Sequence, residues 1–360
     1  MIMGRMFRGH NSKTWYKEKG IVLPAVFLLV ILCCLPSVSY ALRIDSRAAV
    51  VMEASTGRIL YGKSPALRLP PASTAKLMTA MVVLDMADPR MTVTISERAS
   101  SSSRVIAHFR AGEKATIETL LHAALIKSAN DAAIALAEAV GGTEESFVKL
   151  MNEKAFALSM LNTRFVNATG LPGRGQYITG YDLAKMLRHA LRYPMIREII
   201  NIKASRILTE DGRPLLVKNS NRLLWSDGSV LGGKTGYTKA AKHCFVCASK
   251  QGSETVIVAL LGTPSRERMW KESRALFEKG FAIVGETEDQ VAYTTRPDYR
   301  AYLRPASYTK GTSHDKRLPE EKIQEKVKKT KAGQASQVQK KLKQMNKANT
   351  EARRGSGVKG

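Results

Sequence analysis

Cysteine is scarce in this chain, with four in 360 residues, and two of these, Cys33 and Cys34, fall in an N-terminal apolar run. The remaining pair, Cys244 and Cys247, excludes a disulfide-rich secreted scaffold. With His243 they still fall short of the four ligands of a structural zinc site. In His243-Cys-Phe-Val-Cys-Ala248 the spacing reads as a strand that sends the two thiols to opposite faces, so both are expected to fill core. His108, His122, His189 and His243 show no metal-ligand spacing. Acidic residues are outnumbered, 31 against 57 Lys and Arg, for a formal charge of +26. Such an excess points to an anionic partner: nucleic acid, a membrane surface or a wall polymer. Long hydrophobic stretches are lacking too, since the uncharged run over residues 21–35 is shorter than the roughly 20 residues a membrane-spanning helix needs.

At 44% hydrophobic and 24% charged, the chain can bury a substantial core, which excludes a wholly disordered or fibrous protein. Its positive excess is concentrated at the ends. Residues 1–20 hold five basic side chains against Glu18, and residues 301–360 hold sixteen against five acidic ones. Arg5, Arg8, Lys13, Lys17 and Lys19, then the apolar run, then Pro36-Ser-Val-Ser-Tyr-Ala41 follow the basic, apolar, small-residue order of a secretory signal. Residues 1–41 are therefore expected to be a signal peptide cut after Ala41, with an uncleaved N-terminal anchor as the alternative. Either way the remainder acts in the periplasm or on the outer face of the cytoplasmic membrane, and nucleic acid drops out as a partner. Residues 286–360 become dominated by Lys, Gln, Glu, Ala, Ser and Thr. Such a segment cannot bury enough apolar surface to offset its ordering entropy, and a largely disordered basic tail is expected.

Between these ends, residues 42–285 read as one domain. Ala48-Ala-Val-Val-Met52, a turn at Ser55-Thr-Gly57 and Arg58-Ile-Leu-Tyr61 predict a strand hairpin. Helices are expected over 73–86, where Leu77, Met78, Met81, Val82 and Leu84 make an apolar face, and over 116–127, 131–140, 144–160 and 181–193. Strands return at 206–209, 214–218, 243–249 and 255–261, before a last amphipathic helix over 266–284. Strands at both ends of a helical middle predict an α+β domain whose sheet is assembled from distant parts of the chain.

Gly228-Ser-Val-Leu-Gly-Gly-Lys-Thr235 fits the phosphate-cradling loop of nucleotide hydrolases, but that loop must leave a buried strand and open a helix. Here Arg222-Leu-Leu-Trp-Ser-Asp precedes it and strand-like sequence follows, and export removes the nucleotide pool. Three other pieces carry chemistry. Pro71-Ala-Ser73-Thr-Ala-Lys76 sets a hydroxyl and an amine on neighbouring positions of one face where a helix begins. Serine is a weak nucleophile until a base removes its proton, and lysine can be that base only when burial or nearby positive charge lowers its pKa. Ser128-Ala-Asn130 lies in the break between two helices, where a hydroxyl can relay a proton and an amide can hold a substrate carbonyl. Lys234-Thr235-Gly236 is expected just before a strand, with lysine and threonine able to hold a carboxylate and glycine letting substrate approach the backbone. Taken singly, each has a plainer meaning: Ser73 and Asn130 as helix caps, Gly236 as a loop-to-strand glycine.

All three in this order, about 55 and 100 residues apart, resemble the serine penicillin-recognising enzymes, whose motif set is Ser-x-x-Lys, Ser-x-Asn and Lys-Thr-Gly. More narrowly, Pro71-Ala-Ser-Thr-Ala-Lys-Leu-Met-Thr79, Lys127-Ser-Ala-Asn-Asp-Ala-Ala133, Asn167-Ala-Thr-Gly-Leu-Pro172 and Gly233-Lys-Thr-Gly-Tyr-Thr238 are similar to the low-molecular-mass D-alanyl-D-alanine carboxypeptidases of peptidase family S11. The likeness runs over about residues 44–284. It implies a five-stranded antiparallel sheet flanked by helices, with an all-helical subdomain. It implies that Ser73 attacks the bond between two terminal D-alanines of a peptidoglycan stem peptide, with Lys76 as base. Ser128 would move the proton, Asn130 would orient the acyl part, and Lys234 with Thr235 would bind the terminal carboxylate. Gly236 would admit the substrate, and the backbone N–H groups of Ser73 and Tyr237 would form the oxyanion hole. Beta-lactams would be trapped on the same serine, and the resemblance implies that neither a metal nor an organic cofactor is needed.

The pattern departs from the family in places. Ala129 replaces the usual glycine, and Lys242-His243 stands where Ala-Gly and an aromatic residue are usual, which puts the seating of the strand edge in question. Residues 286–360 show neither the β-rich module nor the amphipathic anchor helix of typical members, so the basic tail becomes the candidate contact to anionic lipid or wall polymer. Two other readings stay open: an endopeptidase that cuts D-alanyl cross-links, and a catalytically silent wall-binding protein. A beta-lactamase is disfavoured because no extra carboxylate stands out to activate a deacylating water.

Overall fold

Residues 43–284 are described by a computed structural model, and the expected signal peptide and basic tail lie outside the described residues. The near-continuous apolar run Ala48–Glu53 forms strand β1, and β2 (Ile59–Lys63) returns along it. Their turn is tied by Glu53, whose carboxylate accepts from Ser55 Oγ, Thr56 Oγ1 and Arg58 Nε, while Gly57 takes φ +84°. A 3-10 turn (Ala72–Ala75) then leads into α1 (Lys76–Met86). The middle of the chain holds β3 (Thr92–Thr94), α2 (Glu97–Ser100), β4 (Lys114–Thr116), α3 (Ile117–His122), α4 (Asn130–Gly141), α5 (Glu144–Ala157), α6 (Gly180–Ala190) and α7 (Pro194–Asn201). The hairpin β5 (Ala204–Leu208) and β6 (Pro214–Lys218), the short α8 (Leu223–Ser226), the strands β7 (Val230–Thr238), β8 (Lys242–Gln251) and β9 (Glu254–Thr263), and α9 (Arg266–Val284) complete it.

The main sheet has five strands in the order β2-β1-β9-β8-β7, each pair antiparallel. Its centre joins the two ends of the domain, with Ala48 opposite Leu261 and Val50 opposite Ala259. Alternation along the strands then builds two cores. Val50, Met52, Val246, Ala248, Ile257 and Ala259 face the helical middle. Ala49, Val51, Phe245, Cys247, Val256 and Val258 face α9, where Met269, Trp270, Leu276 and Phe277 pack. Cys244 lies in the first core and Cys247 in the second, both as buried free thiols whose pKa burial pushes up to about 12. The segment before β1 is clasped to α9 by buried Glu272, whose carboxylate accepts from the backbone N of Asp45 (2.7 Å), the backbone N of Ser46 (3.3 Å) and Ser46 Oγ.

Three local expectations differ from the structure. The Lys234-Thr235-Gly236 motif does not precede a strand; it lies within β7, the edge strand of the sheet. Gly228–Thr235 therefore runs from a loop into a strand, which leaves no helix N-terminus for a phosphate-cradling loop. The helix read over 116–127 is α-helical only to His122, then widens into a π turn (Ala123–Lys127) that delivers Ser128 in the left-handed region at φ +70°. Helix α7 was not anticipated, because Pro194 looks like a breaker, yet it occupies the first turn, where the missing N–H has no helical partner to lose. Despite Lys242 at φ +56°, the β7–β8 ladder is uninterrupted from Gly232 to Thr238. Among the described residues no helix is long and apolar enough to cross a membrane.

Candidate active site

Ser73 sits in the 3-10 turn that precedes α1, one turn ahead of Lys76, which opens the helix. Two neighbouring segments press on this turn. Gly170, at φ +80°, approaches so closely that a Cβ there would lie 1.8 Å from the carbonyl oxygen of Ala72. A Cβ on Gly236 of β7 would lie 2.8 Å from the backbone N of Ser73. Between these two glycines Ala72 is held at φ +48°, a left-handed conformation that an L-residue keeps only when its surroundings enforce it.

Lys76 is 1% exposed, and its Nζ has three neighbours: Asn130 Oδ1 at 2.7 Å, the carbonyl oxygen of Thr169 at 2.9 Å and Ser73 Oγ at 3.1 Å. Two of the three can only accept. A neutral amine has two N–H bonds, which the amide and carbonyl oxygens take, leaving its lone pair toward the Ser73 hydroxyl. Burial first, and then the nearby charge of Lys234, push Lys76 well below its ordinary 10.5, against the smaller opposing pull of Asp131.

The other acceptors are held in turn. Asn130 is fixed by donating Nδ2 to the carbonyl oxygen of Ser103 at 2.9 Å, which aims its oxygen at Lys76. Its neighbour Asp131 accepts from the backbone N of Ala107 (2.9 Å) and of Phe109 (3.2 Å), tying the loop before β4 against the site. The Thr169 carbonyl is presented by a loop gripped at Ala168, whose oxygen accepts from Thr79 Oγ1 (2.7 Å) and whose N donates to Glu144 Oε1 (2.8 Å).

Lys234 is also 1% exposed and donates to Ser128 Oγ at 2.8 Å, while burial lowers its pKa to about 7. Thr235 Oγ1 is 2.5 Å from Ser220 Oγ, and Tyr237 is half exposed, with its ring centroid 4.6 Å from that of His243 and the two planes tilted by 35°. Every residue singled out in the three motifs thus converges on one seam between the edge strand and the helical middle. The capping readings do not hold: Ser73 is not a helix cap, and the cap of α4 is Ala129, with no side-chain bond. Sequence reasoning assigned no role to Thr169, Gly170 or Ser220. Asn167-Ala-Thr-Gly170 stood out as a motif, but a backbone carbonyl donates no sequence signal, and Ser220 carries none.

A five-stranded antiparallel sheet with a helical partner, and a serine–lysine pair at their seam, defines the class of penicillin-recognising serine hydrolases. Within it the chain belongs to peptidase family S11, the D-alanyl-D-alanine carboxypeptidases, whose sequence profile matches residues 36–265. It is 33% identical over 261 residues to the D-alanyl-D-alanine carboxypeptidase DacF of Bacillus subtilis, covering 71% of this chain and 65% of that protein. It is also 33% identical over 244 residues to a D-alanyl-D-alanine endopeptidase of Escherichia coli, covering 64% of this chain and 78% of the other. Among solved structures, a D-alanyl-D-alanine carboxypeptidase from Mycobacterium tuberculosis aligns with TM-score 0.64 and 30% identity over 67% of this chain and 92% of that one. The DD-transpeptidase of Streptomyces K15 aligns with TM-score 0.63 and 31% identity, over 67% and 98%.

Proposed function

We infer that the protein is a serine D-alanyl-D-alanine carboxypeptidase that removes the terminal D-alanine from peptidoglycan stem peptides. The observation that carries the reading is the buried Lys76 amine, 3.1 Å from Ser73 Oγ, with its other two neighbours both acceptors. Lys76 takes the Ser73 proton as Oγ attacks the carbonyl carbon of the penultimate D-alanine. The negative charge that develops on the carbonyl oxygen is met by the backbone N–H of Ser73 and that of Tyr237 on the edge strand. Protonated Lys234 and the Thr235 hydroxyl hold the terminal carboxylate. Collapse of the tetrahedral intermediate breaks the C–N bond, the amine of D-alanine takes up the proton by way of Ser128, and the acyl group stays on Ser73. Asn130 orients that acyl part until water releases it. A beta-lactam follows the same path, but its leaving amine stays tethered, so the ester persists.

The test is mass spectrometry of the purified protein with penicillin, and separately with a pentapeptide ending in D-Ala-D-Ala. An adduct mapping to the peptide that contains Ser73, with free D-alanine from the pentapeptide, is the expected result. A folded protein giving neither is the silent wall-binding protein. We place the reaction outside the cytoplasm, where the wall is, and propose that residues 301–360 hold the enzyme near anionic lipid or wall polymer through screened electrostatics. Deleting those residues should move the protein from the cell-envelope fraction to the soluble one, and unchanged fractionation would sink the tether.

A further inference from the structure

An open groove of about 1220 Å³ runs between α8 and α9. It adjoins the Ser73 site at Ser220, which hydrogen bonds Thr235, but none of Ser73, Lys76, Ser128, Asn130 or Lys234 lines it. One wall is a single stripe of α9, with Glu267, Trp270, Lys271, Arg274 and Glu278 at helical spacing. The other carries Lys218, Arg222 and Trp225. Arg274 Nη2 donates across the groove to Ser226 Oγ at 2.9 Å, so the walls stand close enough for one small group to touch both. Five cations, Lys218, Arg222, Arg266, Lys271 and Arg274, face two carboxylates, Glu267 and Glu278. Among the described residues none of the seven takes part in an ion pair. Trp270 is 7% exposed, and its indole N–H is buried without a hydrogen-bond partner among the described residues, a cost that an oxygen acceptor seated in the groove would remove. Trp225, half exposed, lies under the ammonium groups of Lys203 and Lys218 at 5.9 and 5.2 Å, so its ring adds a flat apolar surface to a basic rim.

We propose that this groove is a binding site for a phosphorylated saccharide, separate from the Ser73 site. The placement of charge selects a compact anion. Glu267 and Glu278 stand at the two ends of the stripe, about 16 Å apart along the helix, with Lys271 and Arg274 between them. A long polyanion lying in the groove would run over both carboxylates, whereas a single anionic group between them meets the cations alone. A flat anionic bilayer does not fit either, because it cannot follow the walls down to the buried Trp270. Phosphate suits the site better than a carboxylate, whose two oxygens lie in one plane. Its tetrahedral oxygens can accept from Lys271 and Arg274 on one wall, from Arg222 on the other and from the Trp270 indole. Arg274 gives one of its five N–H bonds to Ser226, so the others are free to donate to such a group. The ring of Trp225 then offers its flat surface to the C–H face of the attached sugar, an aromatic wall beside a few polar anchors. No bond is made or broken there. The groove would seat the domain on a phosphate-bearing saccharide, and it would do so whether or not Ser73 is the nucleophile.

The experiment is an NMR titration of the full-length protein, isotope-labelled at its tryptophan indoles, with N-acetylglucosamine 1-phosphate. Parallel titrations use N-acetylglucosamine, inorganic phosphate and N-acetylmuramic acid, a sugar that carries a carboxylate instead. The Trp225 and Trp270 indole resonances are identified with W225F and W270F. The sugar phosphate is expected to move both resonances to saturation and to bind about tenfold or more tighter than either of its halves. R222E on one wall and K271E/R274E on the other should each weaken it about tenfold or more at low salt, as for loss of one or two charge-assisted contacts. Raising the ionic strength should shrink the difference. The melting temperature and the rate of acylation by penicillin should stay close to those of the parent, which reports that the variants are folded. No saturable shift in the parent, a shift that survives both variants, or an equal affinity for inorganic phosphate overturns the proposal. Tighter binding of N-acetylmuramic acid overturns it in favour of a carboxylate site, and the same shifts with phosphatidylglycerol vesicles overturn it in favour of a lipid headgroup. The parent titrations decide these points without any variant in the walls. A parent that binds the sugar phosphate but forms no penicillin adduct overturns the acyl transfer reading of Ser73 and leaves the groove assigned.

Discussion

Replacing Lys76 with methionine is expected to slow acylation of Ser73 by penicillin roughly 10²- to 10⁴-fold, the usual contribution of a positioned general base. Methionine keeps an unbranched apolar stem of nearly the same length without the terminal amine, so the loss reports chiefly the amine rather than a cavity. The wild-type pH dependence follows from the site. Burial and the charge of Lys234 hold Lys76 well below 10.5, so the amine is neutral above its lowered pKa and loses its lone pair to a proton below it. Acylation should therefore fall on the acid side, through that lowered pKa, and the residual rate of Lys76→Met should lack the limb. Lys234 acts in the opposite sense. It must be protonated to hold a carboxylate, and burial brings it to about 7, so binding of free substrate weakens as pH rises above that value. A stopped-flow pH profile of acylation for both proteins checks this, and an acid limb that survives in Lys76→Met would assign the base elsewhere.

The same two lysines predict a stability trend. In the unfolded chain each binds its proton up to about 10.5, whereas in the folded protein Lys234 loses it near 7 and Lys76 is also lowered. Between these limits the unfolded state holds more protons, so stability rises with pH across that window. Below about pH 7 the cost of burying the Lys234 charge is felt in full. The site is thus held in place by the rest of the fold, and its nearest restraints are visible: Asp131 on the loop before β4, and Thr79 and Glu144 on the loop that carries Thr169.

Much of this was legible in the sequence because it rests on side-chain patterns. The continuous apolar runs in Ala48–Glu53 and in 255–261 marked the central strands, and the three-residue spacing of Ser73 and Lys76 placed both on one side of the turn that opens α1. What stayed hidden is carried by the backbone. The π turn before Ser128, the left-handed Ala72 and the Thr169 carbonyl depend on how loops press against one another, and no periodicity encodes that. β7 escaped notice for a related reason. Val-Leu-Gly-Gly-Lys-Thr-Gly has three glycines and a lysine where a strand should show β-branched or aromatic residues, since one side of this strand must stay open to a ligand and the other lie almost on the Ser73 turn.

That close approach makes Gly236 a position where added side-chain bulk should damage catalysis directly. A Cβ there would stand 2.8 Å from the Ser73 backbone N and 2.9 Å from Ala72 Cβ, so Gly236→Val must push β7 away from the 3-10 turn or move the turn itself. Either displacement separates the edge strand from the Ser73 N–H, and an oxyanion donor lost from a site of this kind costs roughly 10²- to 10³-fold in rate. Valine suits a strand, so the sheet itself should survive and the melting temperature should change little compared with the activity. Gly228, just ahead of the same strand, is the matched control, because a Cβ at that position meets nothing within 4 Å. Gly228→Ala should acylate with penicillin at close to the parent rate while Gly236→Val does not. Near-parental acylation by Gly236→Val would mean that the edge strand and the Ser73 turn are not a single preorganised unit, and the oxyanion donors would have to be sought away from β7.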